Sequence, residues 1–274
     1  MSGRRSPFQR AKNPLVLQER DKNLVALCYD YRFLTREQIR LLSGFACRNR
    51  LSTRLRKLYD NHYLDRRSLP VFRGGGEVIY FIGPRGIEVI SEKTGIDAMA
   101  IKQYRKQLLK IKNAFLPHYL AINGFRLAFS LALKSNPELT FKSWKTEKES
   151  PLCLEEKKFY PDACFVYRHN GKFYSLFLEI DRSTENNKRF QEKVANYLKY
   201  GFDGYYQKQF GFQFFRVLIV CQSMARLKNL KKLIEQKTDK IFWLALQADV
   251  APEKILAKVW HRPAKDSLFS ILEN

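Results

Sequence analysis

Residues 161–182 read PDACFVYRHNGKFYSLFLEIDR, two runs of apolar and aromatic residues joined by Asn170-Gly171. Asn-Gly between such runs is a strong hairpin signal, because both residues tolerate the positive φ that a two-residue type I′ turn needs. Side chains alternate across a strand, so Glu179 and Asp181 share one face while Leu178 and Ile180 take the other. Asp162 stands just before the first strand, and closing the hairpin brings it toward Glu179. Asp162, Glu179 and Asp181 are therefore candidate ligands for a hard cation, Mg²⁺ or Mn²⁺, which prefers oxygen donors and keeps waters for chemistry.

The pattern on either side predicts an α/β unit around a mixed sheet. A helix is expected over residues 116–134, a strand over 139–144, then a polar segment, EKESPLCLEEKKFYP, before the hairpin. After it come a helix over 189–200, an apolar strand over 212–221, an amphipathic helix over 224–236 and a short strand over 241–245. Lys193 and Tyr197 lie four apart on the 189–200 helix and so share a face. Glu147, near the end of the 139–144 strand, is a further candidate acid. His118 is read as a packing or hydrogen-bonding residue. The 14 tyrosines come without a paired-histidine motif, so metal-dependent hydrolysis is preferred to a tyrosine nucleophile.

The first part of the chain reads differently. Leu24, Leu27, Cys28 and Tyr31 recur at helical spacing; Thr35 and Gln38 match a capping box ahead of REQIRLLS, and Gly44 is a natural stop. A third helix, RNRLSTRLRKLYDNHYL, is expected to bury Leu51, Leu55, Leu58 and Tyr59. Two strand-like runs, LDRRSLPV and EVIYFIGP, follow around FRGGG, and a helix over 84–93 closes the unit. Three helices and a hairpin in this order predict a winged helix-turn-helix. Off the apolar face, the third helix carries Arg48, Asn49, Arg50, Ser52, Thr53, Arg54, Arg56 and Lys57, the residue types that pair with base edges and phosphates. Arg66, Arg67 and Arg73 flank the glycine tip and add charge there. The expected organisation is a basic arm over 1–19, a winged helix over 20–95, a connecting segment over 96–112 with a second basic run, KQYRKQLLKIK, and a second domain over 113–274.

Composition agrees with a polyanionic partner. Fifty Lys and Arg against 27 Asp and Glu give a formal charge of +23, and the excess is densest before Phe115, at +14 against +9 after it. Double-stranded DNA is the expected partner. Five scattered cysteines without CxxC and four histidines without zinc-ligand spacing fit a reduced cytoplasmic compartment and argue against structural zinc. The first 14 residues lack the apolar core of a secretory signal, and no apolar run reaches membrane-spanning length, so a soluble protein is expected.

Pro161-Asp162 followed by Glu179-Ile180-Asp181 resembles the core of the PD-(D/E)XK nuclease superfamily, the restriction-endonuclease-like fold, in which an Asp and an acid-x-Lys pair share a hairpin. The resemblance implies Asp162 and Glu179 as metal ligands, joined by the Ile180 carbonyl. Asp181 occupies the position where lysine is usual, and Lys193 is the candidate replacement. With the preceding winged helix, HYLAINGFRLAF on the intervening helix, Glu147 after Trp144, and Lys193 with Tyr197, the chain over about 20–200 resembles the replication-relaxation family of plasmid and mobile-element proteins. That resemblance implies site-selective DNA binding with relaxase-like nicking, and contact with replication or transfer machinery. One active site nicks one strand and a two-fold pair cuts both, so a homodimer is a relevant state. The alternative is a transcriptional regulator or replication accessory that keeps the nuclease fold without its chemistry.

Overall fold

Thr35 and Gly44 set the limits of the second helix through local chemistry alone. The Thr35 hydroxyl accepts from Gln38 N at 3.1 Å and the Gln38 side chain accepts from Thr35 N at 3.0 Å, so two otherwise orphaned donors are satisfied. At the other end Gly44 adopts φ +69, a left-handed conformation that costs glycine nothing. The computed structural model describes residues 15–69, 76–183 and 186–273. Most of the expected basic arm, and Arg73 with Gly74 and Gly75 of the expected hairpin tip, lie outside them.

The chain forms two units, Met1–Asn123 and Gly124–Asn274. In the first, α1 (Glu19–Asp30), β1 (Leu34–Thr35), α2 (Arg36–Ser43), α3 (Arg48–Asp60), β2 (Leu64–Ser68), β3 (Val78–Ile82), α4 (Gly86–Thr94) and α5 (Ala98–Lys110) follow one another. The strands form an antiparallel sheet in the order β1-β3-β2. α1 begins three residues before the apolar periodicity does, because the Asp21 carboxylate accepts from Gln18 N at 2.7 Å. α3 stops at Asp60, where Asn61 Nδ2 donates to Lys57 O at 3.0 Å and His62 takes φ +63. Leu24, Val25, Cys28, Ile39, Leu51, Leu55, Leu58, Ile79 and Ile90 fill the core. Ile101, Leu108 and Leu116 belong to that same core. The segment expected to connect two domains is thus mostly the regular helix α5, packed on the first unit, and the division falls later, within α6 (Leu116–Lys134).

The second unit is a mixed α/β structure on a seven-stranded sheet. Its strands are β4 (Leu139–Thr146), β7 (Ala163–His169), β8 (Lys172–Asp181), β9 (Phe215–Cys221), β10 (Phe242–Leu246), β11 (Trp260–His261) and β12 (Leu268–Phe269), in the order β12-β11-β10-β9-β8-β7-β4. β7 and β8 form the expected hairpin, and Asn170 and Gly171 take φ +48 and +78 at its turn. β8, β9 and β10 are mutually parallel, linked through α7 (Asn187–Phe202) with α8 (Tyr205–Phe210) and through α9 (Met224–Glu235). Phe177, Phe215, Val217 and Ile219 face Tyr197, Tyr200 and Leu230 on one side of the sheet, while Phe125 and Phe129 of α6 meet Phe165 on the other. The segment read as polar folds into a small hairpin, β5 (Leu152–Leu154) with β6 (Lys157–Phe159), because Leu152 and Leu154 can both bury against the aromatic cluster. Among the described residues no helix is long and apolar enough to cross a membrane.

Candidate functional site

The carboxylates gather at one end of the large sheet. Ala163 pairs with Leu178, so Asp162 falls opposite Glu179. Two bonds hold it there: Asp162 N donates to Leu178 O at 3.0 Å, and Ile180 N donates to Asp162 Oδ2 at 2.7 Å. Glu179 is 5% exposed, on the face of β8 that also bears Phe177 and Asp181. Its two oxygens are taken by two successive turns of α7. Lys193 Nζ donates to Oε2 at 2.8 Å and Tyr197 Oη donates to Oε1 at 2.6 Å.

This environment pulls the Glu179 carboxyl in opposite directions. Burial pushes its pKa up, the neighbouring Asp162 charge adds to that, and Lys193 with Tyr197 opposes both; the result is about 7. Burial likewise raises the Tyr197 phenol far above its ordinary range, with the Glu179 charge beside it reinforcing the effect. At neutral pH Tyr197 therefore stays a hydrogen-bond donor, and Glu179 sits near the midpoint of its titration.

Asp181 shares the face but has a different partner. Arg226, in the first turn of α9, donates from Nε to Oδ1 at 3.1 Å and from Nη2 to Oδ2 at 2.9 Å. The same guanidinium reaches Asn187 Oδ1 at 2.9 Å, and Ser183 N donates to Asp181 Oδ1 at 2.8 Å. Composition and spacing single out neither Arg226 nor Asn187. The recoverable signal is the strand–Ser223–helix junction: Ser223 caps α9 by accepting from Arg226 N at 3.2 Å, and the parallel pairing of Asp181 with Cys221 brings that first turn over the end of β8.

Glu147 begins a 3-10 turn, Glu147–Glu149, directly after β4, and the pairing of Thr146 with Ala163 brings it to the same end of the sheet as Asp162. In that turn it is Glu149 that binds the main chain, accepting from Thr146 N at 2.8 Å. Among the described residues no three His, Cys, Asp or Glu side chains converge as a metal-holding group. The expected three-carboxylate set accordingly divides into Asp162 with Glu179, and Asp181 with Arg226.

In the first unit, Arg48, Asn49, Arg50, Thr53, Arg56 and Lys57 are exposed along α3, and Ser52 is half-buried. Arg48 Nη2 also meets Glu37 Oε2 at 3.1 Å, and Arg36 Nη1 donates to Ser52 Oγ at 3.2 Å. Two of the arginines expected at a DNA surface, Arg54 and Arg67, have internal work. Arg54 pairs through Nε and Nη2 with both oxygens of the fully buried Asp21, tying α3 to α1. Arg67 donates to Ile111 O at 2.6 Å and Leu109 O at 2.7 Å. Arg66 is exposed and lies 4.1 Å over the Tyr59 ring.

The two units define a mixed α/β protein with an arginine-rich helix face in one and a carboxylate, lysine and tyrosine site at a sheet end in the other. The chain belongs to the replication-relaxation family, whose model matches residues 25–214. No curated protein matches it. Among solved structures it is similar to the restriction endonuclease FokI, at 12% identity and a TM-score of 0.30, over 84% of this chain and 42% of that one. The chain thus spans less than half the length of that protein.

Proposed function

We propose that this is a DNA-binding protein of plasmid or mobile-element replication or transfer, in which the first unit is a winged helix that selects a site and the second a PD-(D/E)XK-like domain that nicks one strand. The observation that carries the reading is the meeting of Asp162, Glu179 and Lys193. In acid-x-Lys sites the lysine comes from the strand; here the strand offers Asp181, and the following helix supplies Lys193 at 2.8 Å from Glu179. The order α1, β1, α2, α3, β2, β3 and the exposed basic face of α3 support the winged helix.

The donor set fits Mg²⁺ or Mn²⁺ of the kind held by one or two carboxylates together with waters and substrate phosphate. Asp162 and Glu179, with the Ile180 carbonyl, would hold it, while Asp181 is engaged by Arg226 and orients that guanidinium instead. When bound, such an ion neutralises phosphate charge and supplies a nucleophilic water. Lys193 places its ammonium 2.8 Å from Glu179, and Tyr197 fixes the carboxylate plane.

The test is incubation of wild type and Asp162→Ala with supercoiled DNA carrying the flanking region of its own gene, with Mg²⁺, with Mn²⁺ and with chelator. Conversion to open circles by wild type alone, and only with metal, supports nicking. A second reading, a regulator or replication accessory without chemistry, draws on the pairing of Glu179 with Lys193 and of Asp181 with Arg226, which equally suits a structural network. Salt-sensitive retardation of the same DNA without conversion favours it.

A further inference from the structure

The second basic run, over residues 102–112, forms most of α5, and its arginine and lysines point in different directions. Arg105 faces inward, donating to Ile82 O at 3.2 Å and pairing with Asp65. Ile101 and Leu108 are buried, and Tyr104 Oη donates to Tyr29 O at 3.1 Å. From β2, Arg67 grips the last carbonyls of the helix, those of Leu109 and Ile111, groups that otherwise depend on water or a cap. Every anchor lies on one face.

Lys102, Lys106 and Lys110 are all exposed and recur every four residues along α5. Lys112 continues the series just beyond it. Like charges at this spacing repel, and no Asp or Glu occurs between Asp97 and Glu138 to relieve them. A helix this uncompensated matches a polyanion. Arg66 and Arg67 alternate across β2, the first lying over Tyr59 of α3 and the second holding the end of α5. The C-terminal ends of α3 and α5 therefore adjoin opposite faces of β2.

We propose that the Lys102, Lys106 and Lys110 stripe is a second DNA-contact surface, which grips duplex phosphates in addition to α3 and is held in place by Arg67 and Arg105. The inference rests on the DNA-binding reading of the first unit. From Lys102 to Lys110 the helix rises about 12 Å, a length of duplex that carries about seven phosphates, ample for three ammonium groups on flexible stems. Contacts of this kind carry no sequence information, so the stripe adds affinity without specificity.

The experiment compares the full chain with a Lys102→Gln, Lys106→Gln, Lys110→Gln variant and with Arg50→Ala, by fluorescence anisotropy on a labelled random-sequence duplex across a range of KCl concentrations. Glutamine is as good a helix former as lysine, so circular dichroism should be unchanged. The triple variant is expected to lower the slope of log K against log salt by about 2 to 3, with a loss of affinity on the order of ten- to a hundredfold near physiological salt. A slope equal to that of wild type, with Arg50→Ala still weakened, overturns the stripe and leaves α3 as the DNA surface. No duplex binding by wild type overturns the DNA reading itself. Co-sedimentation with phosphatidylserine vesicles that only the triple variant loses, with duplex binding intact, overturns the proposal in favour of a membrane contact.

Discussion

Arg226 and Asp181 are joined by a two-bond fork across 45 residues of chain, at 3.1 and 2.9 Å, with both side chains largely buried. The fork ties α9 to the end of β8.

Removing one partner of such a pair leaves an uncompensated charge in a poorly hydrated place. Arg226→Ala is expected to lower the unfolding free energy by about 3 to 5 kcal/mol, read as a shift in the denaturant midpoint. Arg226→Ala combined with Asp181→Ala should recover part of that loss. If Arg226→Ala alone leaves the midpoint unchanged, the fork is not a stabilising contact.

The Glu179 carboxyl titrates near pH 7 in the folded chain and near its ordinary 4.5 in the unfolded one. The folded state therefore binds this proton more tightly. Its stabilising contribution is complete below about pH 4.5 and is lost as pH rises through about 7. With chelator present, the stability of Glu179→Gln relative to wild type should rise steadily from pH 5 to about pH 8, since glutamine has no charge to bury. Urea midpoints at several pH values measure it; a difference that does not change with pH would count against the raised carboxyl.

Arg50 and Arg54 sit one turn apart on α3 and should fail in different ways. Arg54→Ala strands the buried Asp21 and is expected to cost about 3 to 5 kcal/mol of stability. Arg50→Ala, on the exposed face, should leave stability within about 0.5 kcal/mol and weaken DNA binding instead. Thermal melts run beside binding isotherms separate the two, and equal melting temperatures for both variants would remove Arg54 from its structural role.

Local chemistry explains what was legible in the residues. The Thr35–Gln38 box, the Gly44 stop and the Asn170-Gly171 turn each close a bond pattern within four residues, so composition at fixed offsets was enough to read them. The 116–134 helix and the pairing of Asp162 with the Glu179 strand followed equally from periodicity and hairpin register. The four-residue spacing of Lys193 and Tyr197 put them on one face, but only the packing of α7 on the sheet showed that this face meets both oxygens of Glu179.

The sequence alone determined the charge excess, the basic face of α3 and the alternation that sets Glu179 and Asp181 side by side, because these depend on residue type and on the periods of helix and strand. The tertiary structure decided the partners. The parallel crossover from β8 to β9 delivers Arg226 to Asp181, the packing of α1 against α3 turns Arg54 inward onto Asp21, and the docking of α5 on β2 commits Arg67 to main-chain carbonyls. Each joins residues 33 to 45 positions apart, and a contact at that range is chosen by how whole elements pack, which no local pattern encodes.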